Sequence, residues 1–444
     1  MHSETYIRLR SLISADFLLP TLAATASVAI GAMVAKSPID AVALVVVCIA
    51  IAVAVTRPML LFAAGIVLLT IEPARVFGEG STAGRPETFK LVLYACTLPL
   101  LFSRGIDRRK CAPLIAYGVV AILTELFGTR LPGLASSQTA ASLATLCLGW
   151  LVFAINWDWR RDRRLLEVLI WVPTLSVLAG LVLQQMGILL LLGHSSPHRL
   201  EGATIAPWLA AFSLYSVIAC LVLYRREQWR WARWLGCVNV LILGATLTRG
   251  AVLALGIVAI PPLIRFYRHQ LSVKSIAGIA KLGTAAIVAI IGSVILVSGL
   301  QERTENARVL VNGQGVHEIA SGRFRAWAFA YEQAEVNLAF GRGVGAGPVV
   351  GKSPGSPAGF SAQHNEYLRM LLEVGIVGGI ILLTTIITTM VSLIRRAPLP
   401  IRADLVAAGI AFAIYSITEN TLTATPLAVA FLLVFSISGS RATH

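Results

Sequence analysis

The sequence predicts an all-α polytopic membrane protein with about twelve transmembrane helices, within a range of twelve to fourteen. Three observations predict it. The 444 residues are 57% hydrophobic and only 13% charged, with a mean hydropathy of +0.78, a balance that a soluble core-and-shell domain does not have. Long apolar runs recur from one end of the chain to the other. Between them the basic residues gather in short loops.

In chain order the candidate spans are 17–35, 39–55, 58–71, 88–103, 112–127, 139–156, 165–192, 204–224, 234–247, 250–265, 275–299, 370–394, 403–420 and 425–438. The runs 39–55, 58–71, 234–247, 250–265 and 425–438 are short for a bilayer crossing, which sets the lower end of the range. Arg8 and Arg10 precede the first run, and no convincing small-residue cleavage site follows, so it reads as a span rather than a removed signal. Five loops, Arg104–Lys110, Asp158–Arg164, Arg225–Arg233, Arg265–Lys274 and Arg395–Arg402, hold 18 of the 37 Lys and Arg. Each hugs a span, so the net charge of +15 reads as positive-inside topology, with no nucleic-acid partner. With the N-terminus inside, all five fall on the cytoplasmic side. The six cysteines lie in or beside apolar runs, so neither a disulfide framework nor a cysteine metal site is expected.

This divides the chain into an N-terminal transmembrane bundle (1–299), a helical loop domain on the outer face (300–369) and C-terminal transmembrane helices (370–444). Within the loop, Ser321–Asn337 reads as an amphipathic helix capped by Ser321, with Phe324, Trp327, Ala328, Tyr331 and Ala334 as its apolar stripe and Arg323 and Arg325 in its first turn. Such a stripe serves packing more often than substrate. The run Gly341–Gly347 has no strand before it and no Gly-Lys-Ser/Thr after it. It is therefore no nucleotide loop but a flexible turn where backbone approaches something closely. Gly351–Gly359 reads as a mobile loop.

The stretch Phe360–Gly379 organises the rest. Ser361 is the expected N-cap, which puts His364 in the first turn of a helix that enters the membrane as Ile376–Leu393. The partly positive helix end there favours a neutral imidazole able to accept a proton, and a neighbouring anion. A hydrogen-bonded, inert histidine at a helix entrance is the competing reading.

The outer loops carry no Asp-x-Asp and no ligand-spaced His/Cys cluster, and no Gly-x-Ser-x-Gly is present, so neither a metal-dependent transferase nor a serine hydrolase is expected. They do carry Arg199, Arg249, Arg323 and Arg325 near apolar segments. Arginine binds phosphate oxygens as a fork, and Arg249, in a tight turn between two apolar runs, is costly there unless it has a role or snorkels to head groups. Arginines that neutralise a lipid diphosphate leaving group, with one histidine that deprotonates a hydroxyl, describe metal-free glycosyl transfer.

The order of motifs resembles the O-antigen ligase and polymerase superfamily. The pieces are Arg199 and Gly202 before a span; Thr246, Thr248, Arg249, Gly250, Ala251 and Leu253 at a turn; Ser321, Gly322, Arg323 and Trp327 opening a loop helix; Gly341, Gly343 and Gly345; His364, Asn365, Leu368, Leu371 and Gly375; and an acidic residue, Glu419, at a late span end. They cover roughly 195–435. The resemblance implies a C-type, lipid-dependent glycosyltransferase of the bacterial inner membrane with its site facing the periplasm. It implies transfer of polysaccharide from undecaprenyl diphosphate to lipid A–core oligosaccharide, with inversion and without metal, ATP or other cofactor. Residue by residue, it implies His364 as the base, Arg249 and Arg323 on the diphosphate, Arg199 and Arg325 beside them, and Asn365 and Glu419 in support. One departure stands out: Ala206-Pro207-Trp208 follows the Arg199 loop where many relatives have Pro-Asn.

A polymerase using the same donor is the nearest rival, and a protein O-oligosaccharyltransferase is a third relative. A lipid-linked sugar flippase, from another class, would need ionisable residues at mid-membrane; only Lys90, Glu125 and Lys281 read as deep, and no inverted repeat is visible.

Overall fold

The computed structural model describes residues 52–54, 56–78, 86–192, 199–270, 318–356 and 363–440, with the side chains of 86–87, 267–270 and 318–324 outside the description. The expected spans 17–35 and 275–299, most of 39–55, and Ser361 lie outside the described residues. Everything described is helix, turn or loop, apart from two isolated bridges. The helices are α1 (Pro58–Leu68), α2 (Pro73–Phe77), α3 (Pro86–Arg104), α4 (Ala112–Phe127), α5 (Ser136–Ala154), α6 (Trp159–Gln185), α7 (Ala206–Glu227), α8 (Trp231–Ala245), α9 (Arg249–Gln270), α10 (Glu318–Glu335), α11 (Ala346–Gly351), α12 (Glu366–Arg396), α13 (Leu399–Tyr415) and α14 (Thr425–Gly439). Among the described residues five helices, α5, α6, α7, α9 and α12, are long and apolar enough to cross a membrane, and α1, α4, α8 and α14 are shorter apolar helices.

The chain divides into two compact units, Met1–Gly65 with Leu91–Gly105, and Ile66–Lys90 with Ile106–His444. In the smaller, Gly65 lets α1 approach Cys96 on α3, since a Cβ there would press on the Cys96 side chain. The larger is built around α7 and α14. Helix α14 is apolar on every face and buried along its length, which explains a run too short for an independent span: its neighbours are protein, not lipid. Phe431 of α14 stacks on Phe412 of α13 with ring centroids 3.9 Å apart. The surrounding helices turn Ile115, Ile122, Val182, Leu241, Ile380 and Ile387 outward, as helices facing lipid do.

Helices α9 and α13 pack antiparallel, and they define two ends. At one, Gly250 lies so close to Thr418 and Tyr415 that a Cβ would overlap the Thr418 hydroxyl. At the other, Arg265 forks onto both carboxylate oxygens of Asp404 at 2.9 and 3.1 Å. Basic residues of the larger unit gather at that second end. Arg225 also reaches Asp404, Arg226 donates to the carbonyls of Ser438 and Ser440, Arg163 pairs with Glu227, and Arg402 donates to the carbonyls of Ala397 and Arg395. Lys110, in a 3-10 turn there, donates to Ser436 at 2.9 Å; burial lowers its ammonium to about 8.

Several boundaries move. Asp158 accepts from the Arg161 amide and caps α6, so most of the predicted loop Asp158–Arg164 is the first turns of a helix. Helix α10 begins at Glu318, which puts Ser321 inside it rather than at its cap. The run 403–420 ends as helix at Tyr415 and turns sharply. Lys90 lies five residues into α3 and Glu125 pairs with Arg130 at 3.0 Å near the end of α4, so neither is at mid-helix; Lys281 lies outside the described residues.

Candidate active site

Helix α12 starts later than its sequence suggests. Asn365 is the N-cap: its side chain accepts from the amides of Tyr367 and Leu368 at 3.1 and 3.0 Å. His364 therefore precedes the cap instead of lying in the first turn. His364 has φ +48, an uncommon conformation for a side-chain-bearing residue, held by what surrounds it. The Asn365 amide donates to Asn420 Oδ1 at 3.2 Å, and the Glu366 amide to the Ser416 carbonyl at 2.9 Å. The start of α12 is thus docked on the turn that follows α13.

That turn carries Glu419, which is 3.2 Å from His364 Nδ1. The carboxylate is nearly buried (7% exposed) while the imidazole is 35% exposed. With Nδ1–H donated to the carboxylate, Nε2 is left with its lone pair, the arrangement of a base aimed by an acid. Thr418, next in the turn, is the residue that Gly250 abuts, so the start of α9, with the exposed Arg249, lies against the same turn. Arg199 braces that start from outside: Nε donates to the Thr246 carbonyl at 3.0 Å and a terminal nitrogen to Thr248 Oγ1 at 3.2 Å.

The loop helix α10 reaches the same place. Trp327 Nε1 donates to the carbonyl of Gln363 at 2.8 Å, one residue before His364. Arg325 is exposed on that helix; Arg323 lies in its backbone, with its side chain outside the described residues. The expected residues therefore assemble as follows: His364, Glu419 and Asn365 in direct contact, Arg249 beginning the helix beside them, Arg199 bracing Arg249's turn, and Arg323 and Arg325 on a helix tied to Gln363.

Sequence reasoning missed what holds this together. Arg369 is buried between Glu366 and Glu373, all on one face of α12 at spacings of three and four. Glu366 also accepts from the Leu422 amide at 3.1 Å and the Thr423 hydroxyl at 3.3 Å, and Glu373 accepts from the Gly347 amide at 3.2 Å. The triad joins the Glu419 turn to the glycine run. The signal was present as Glu-x-x-Arg-x-x-x-Glu opening an apolar helix.

The glycine run is not flexible. Gly341–Gly347 are buried and fill a break in α12 at Gly375 (φ +68, ψ −173). The amides of Arg342 and Gly343 donate to the carbonyls of Leu372 and Glu373, and the amides of Ile376 and Val377 donate to Leu338 and Ala339. Four backbone groups freed by the break are thus paired with the inserted loop, as a membrane interior favours. A Cβ on Gly375 would overlap the Ala339 carbonyl. Leu131, Leu134, Ala334, Ala346, Val350 and Leu372 form a small core under this loop, so 318–356 shares its packing with α12.

A family profile described as O-antigen ligase matches residues 237–383. Over this segment the chain is similar to the O-antigen ligase family. The match takes in the Arg249 turn, Arg323, Arg325, the glycine run and His364, and leaves Arg199 and Glu419 outside. No curated protein matches the chain. The matched segment also takes in the break in α12 and the buried triad. Among the described residues no group of three His, Cys, Asp or Glu side chains stands ready to hold a metal ion.

Proposed function

We propose that this protein is an O-antigen ligase of the bacterial inner membrane. It transfers polysaccharide from undecaprenyl diphosphate to lipid A–core oligosaccharide on the periplasmic side, with inversion and without a metal. The observation that carries the reading is the His364–Glu419 pair, open to solvent, on the turn that abuts Arg249, at the end of the larger unit away from its gathered basic residues. If those basic residues are cytoplasmic, as the positive-inside rule has it, His364 faces the periplasm.

In this reading His364 Nε2 takes the proton of the acceptor hydroxyl as its oxygen attacks the anomeric carbon, and Glu419 stabilises the imidazolium that forms. The bond from that carbon to the diphosphate breaks, and Arg249 and Arg323 stabilise the negative charge that grows on the leaving group. Arg325 extends the basic surface, and Arg199 contributes by fixing the Arg249 turn. On the outer face, α10 of the loop is tied to the residue before His364 through Trp327. The remaining apolar runs bring the total to about twelve crossings.

A deletion strain tests the reading through its lipopolysaccharide profile. Loss of all polymer from lipid A–core is the expected result; a core bearing one repeat unit would assign the chain to the polymerases instead.

A further inference from the structure

At the His364 end a cavity of about 240 Å³ opens among Glu72, Lys90, Trp208, Thr423 and Thr425, with Phe89 and prolines between them. No motif in the sequence pointed to it. It is smaller than the roughly 300–1,000 Å³ of sites for drug-sized ligands, and corresponds to about eight waters. Its lining pairs an indole face and other apolar groups with one carboxylate, one ammonium and two hydroxyls. A lipid tail would want a uniformly apolar wall, and a free diphosphate would want cations without a carboxylate. A pyranose ring fits: its C–H face lies on an aromatic ring, while its hydroxyls both donate and accept around the edge. The Thr425 hydroxyl, on a residue that lines the cavity, is buried and has no hydrogen-bond partner among the described residues.

The cavity is rigid and adjoins the base. The Glu72 amide donates to the Ala203 carbonyl, Arg75 bonds the Thr204 carbonyl and pairs with Glu201 at 2.9 Å, and the Tyr415 hydroxyl donates to the Pro207 carbonyl beside Trp208 at 2.8 Å. Thr423 in the wall bonds Glu366, two residues from His364, and belongs to the same turn as Glu419. The start of α9, with Arg249, abuts that turn at Thr418, whereas the cavity is walled by its far end at Thr423. We propose that the cavity seats one sugar ring of the acceptor, holding its hydroxyl toward His364, while the donor diphosphate occupies the arginine side. This rests on the ligase reading.

The test is titration of deacylated lipid A–core oligosaccharide into the full chain in lipid nanodiscs, alongside transfer kinetics with intact lipid A–core. Trp208→Ala and Lys90→Met are each expected to weaken oligosaccharide binding by about tenfold or more and to raise KM for the acceptor with KM for the donor unchanged. Trp208→Phe, which keeps a ring, should bind close to wild type, and His364→Ala should bind normally. If Trp208→Ala fails to insert, Lys90→Met decides. Unchanged binding in these variants, no binding by wild type, or a shift in donor KM instead would overturn the proposal. Binding that responds as expected in a chain that transfers no polymer would overturn the ligase reading and leave the cavity assignment standing. Transfer to lipid A–core with the acceptor KM untouched by Trp208→Ala would do the reverse.

Discussion

The two ends of the larger unit both concentrate charge, and they treat it differently. At the basic end, charges are answered by the protein: Asp404 takes Arg265 and Arg225, Glu227 takes Arg163, and carbonyls take Arg226 and Arg402. Charge there fastens helix ends to one another. At the other end the charges lie in two layers. Arg369 is neutralised inside by Glu366 and Glu373, and that buried layer carries an outer one in which His364 and Arg249 meet solvent. An arginine is therefore not a sign of ligand by itself: those of the basic end serve as struts, and Arg249 differs from them in its exposure and in lying against the turn that carries Glu419.

The buried layer is where the comparison breaks most easily. Gly375→Ala forces a side chain into the Ala339 carbonyl at a conformation reserved for glycine. It should destabilise the protein by about 3 kcal/mol or more, read as a large drop in thermal unfolding temperature of the detergent-purified chain. A wild-type temperature would mean that the glycine loop does not fill the break. Arg369→Met, which strands two buried carboxylates, should cost about 3–5 kcal/mol.

Effects in the outer layer should fall on turnover instead. Arg249→Lys keeps the charge and loses the fork, and turnover should drop roughly ten- to a thousandfold for a lost charge-assisted contact, with donor binding weakened less. Full turnover would reduce Arg249 to a head-group anchor. Glu419→Gln keeps a hydrogen bond to Nδ1 and removes the charge that stabilises the imidazolium, so a loss of roughly 10²–10⁴-fold is expected with unfolding unchanged.

How much of this was legible in the sequence follows the same division. The helices were legible because apolar runs mark them directly: 112–127 coincides with α4, and 425–438 with α14 to within a residue. Motif order named His364, Arg249 and Glu419, and the structure puts His364 against Glu419 on the turn that the start of α9 abuts. The cap was misread as Ser361 because the contacts that dock Asn365 and Glu366 on Asn420 and Ser416 come from a distant turn that local sequence does not show. The triad was missed because charges opening an apolar helix look like a solvated entrance until a second element covers them. The cavity was invisible because Glu72, Lys90, Trp208 and Thr423 come from four separate segments, and Lys90 had read as a mid-membrane charge.

A change of pH sharpens the basic end. Lys110 has an ammonium lowered to about 8 by burial, below its ordinary 10.5. The unfolded chain then holds that proton more tightly than the folded one between those values. Stability should rise as pH goes from about 8 to about 10.5, and the gain should be lost as pH falls back through 8. Lys110→Met should flatten that rise in thermal unfolding while leaving transfer unchanged.

The central claim is that His364, aimed by Glu419, is the base of a metal-free transfer. The direct measurement is polymer transfer from undecaprenyl diphosphate to lipid A–core by purified His364→Ala in nanodiscs, with excess chelator present throughout. The account predicts that wild type keeps its activity under chelation and that His364→Ala loses about a hundredfold or more, with insertion and unfolding temperature unchanged. Transfer by His364→Ala at close to the wild-type rate, or a wild-type activity that chelator removes and magnesium restores, would contradict it.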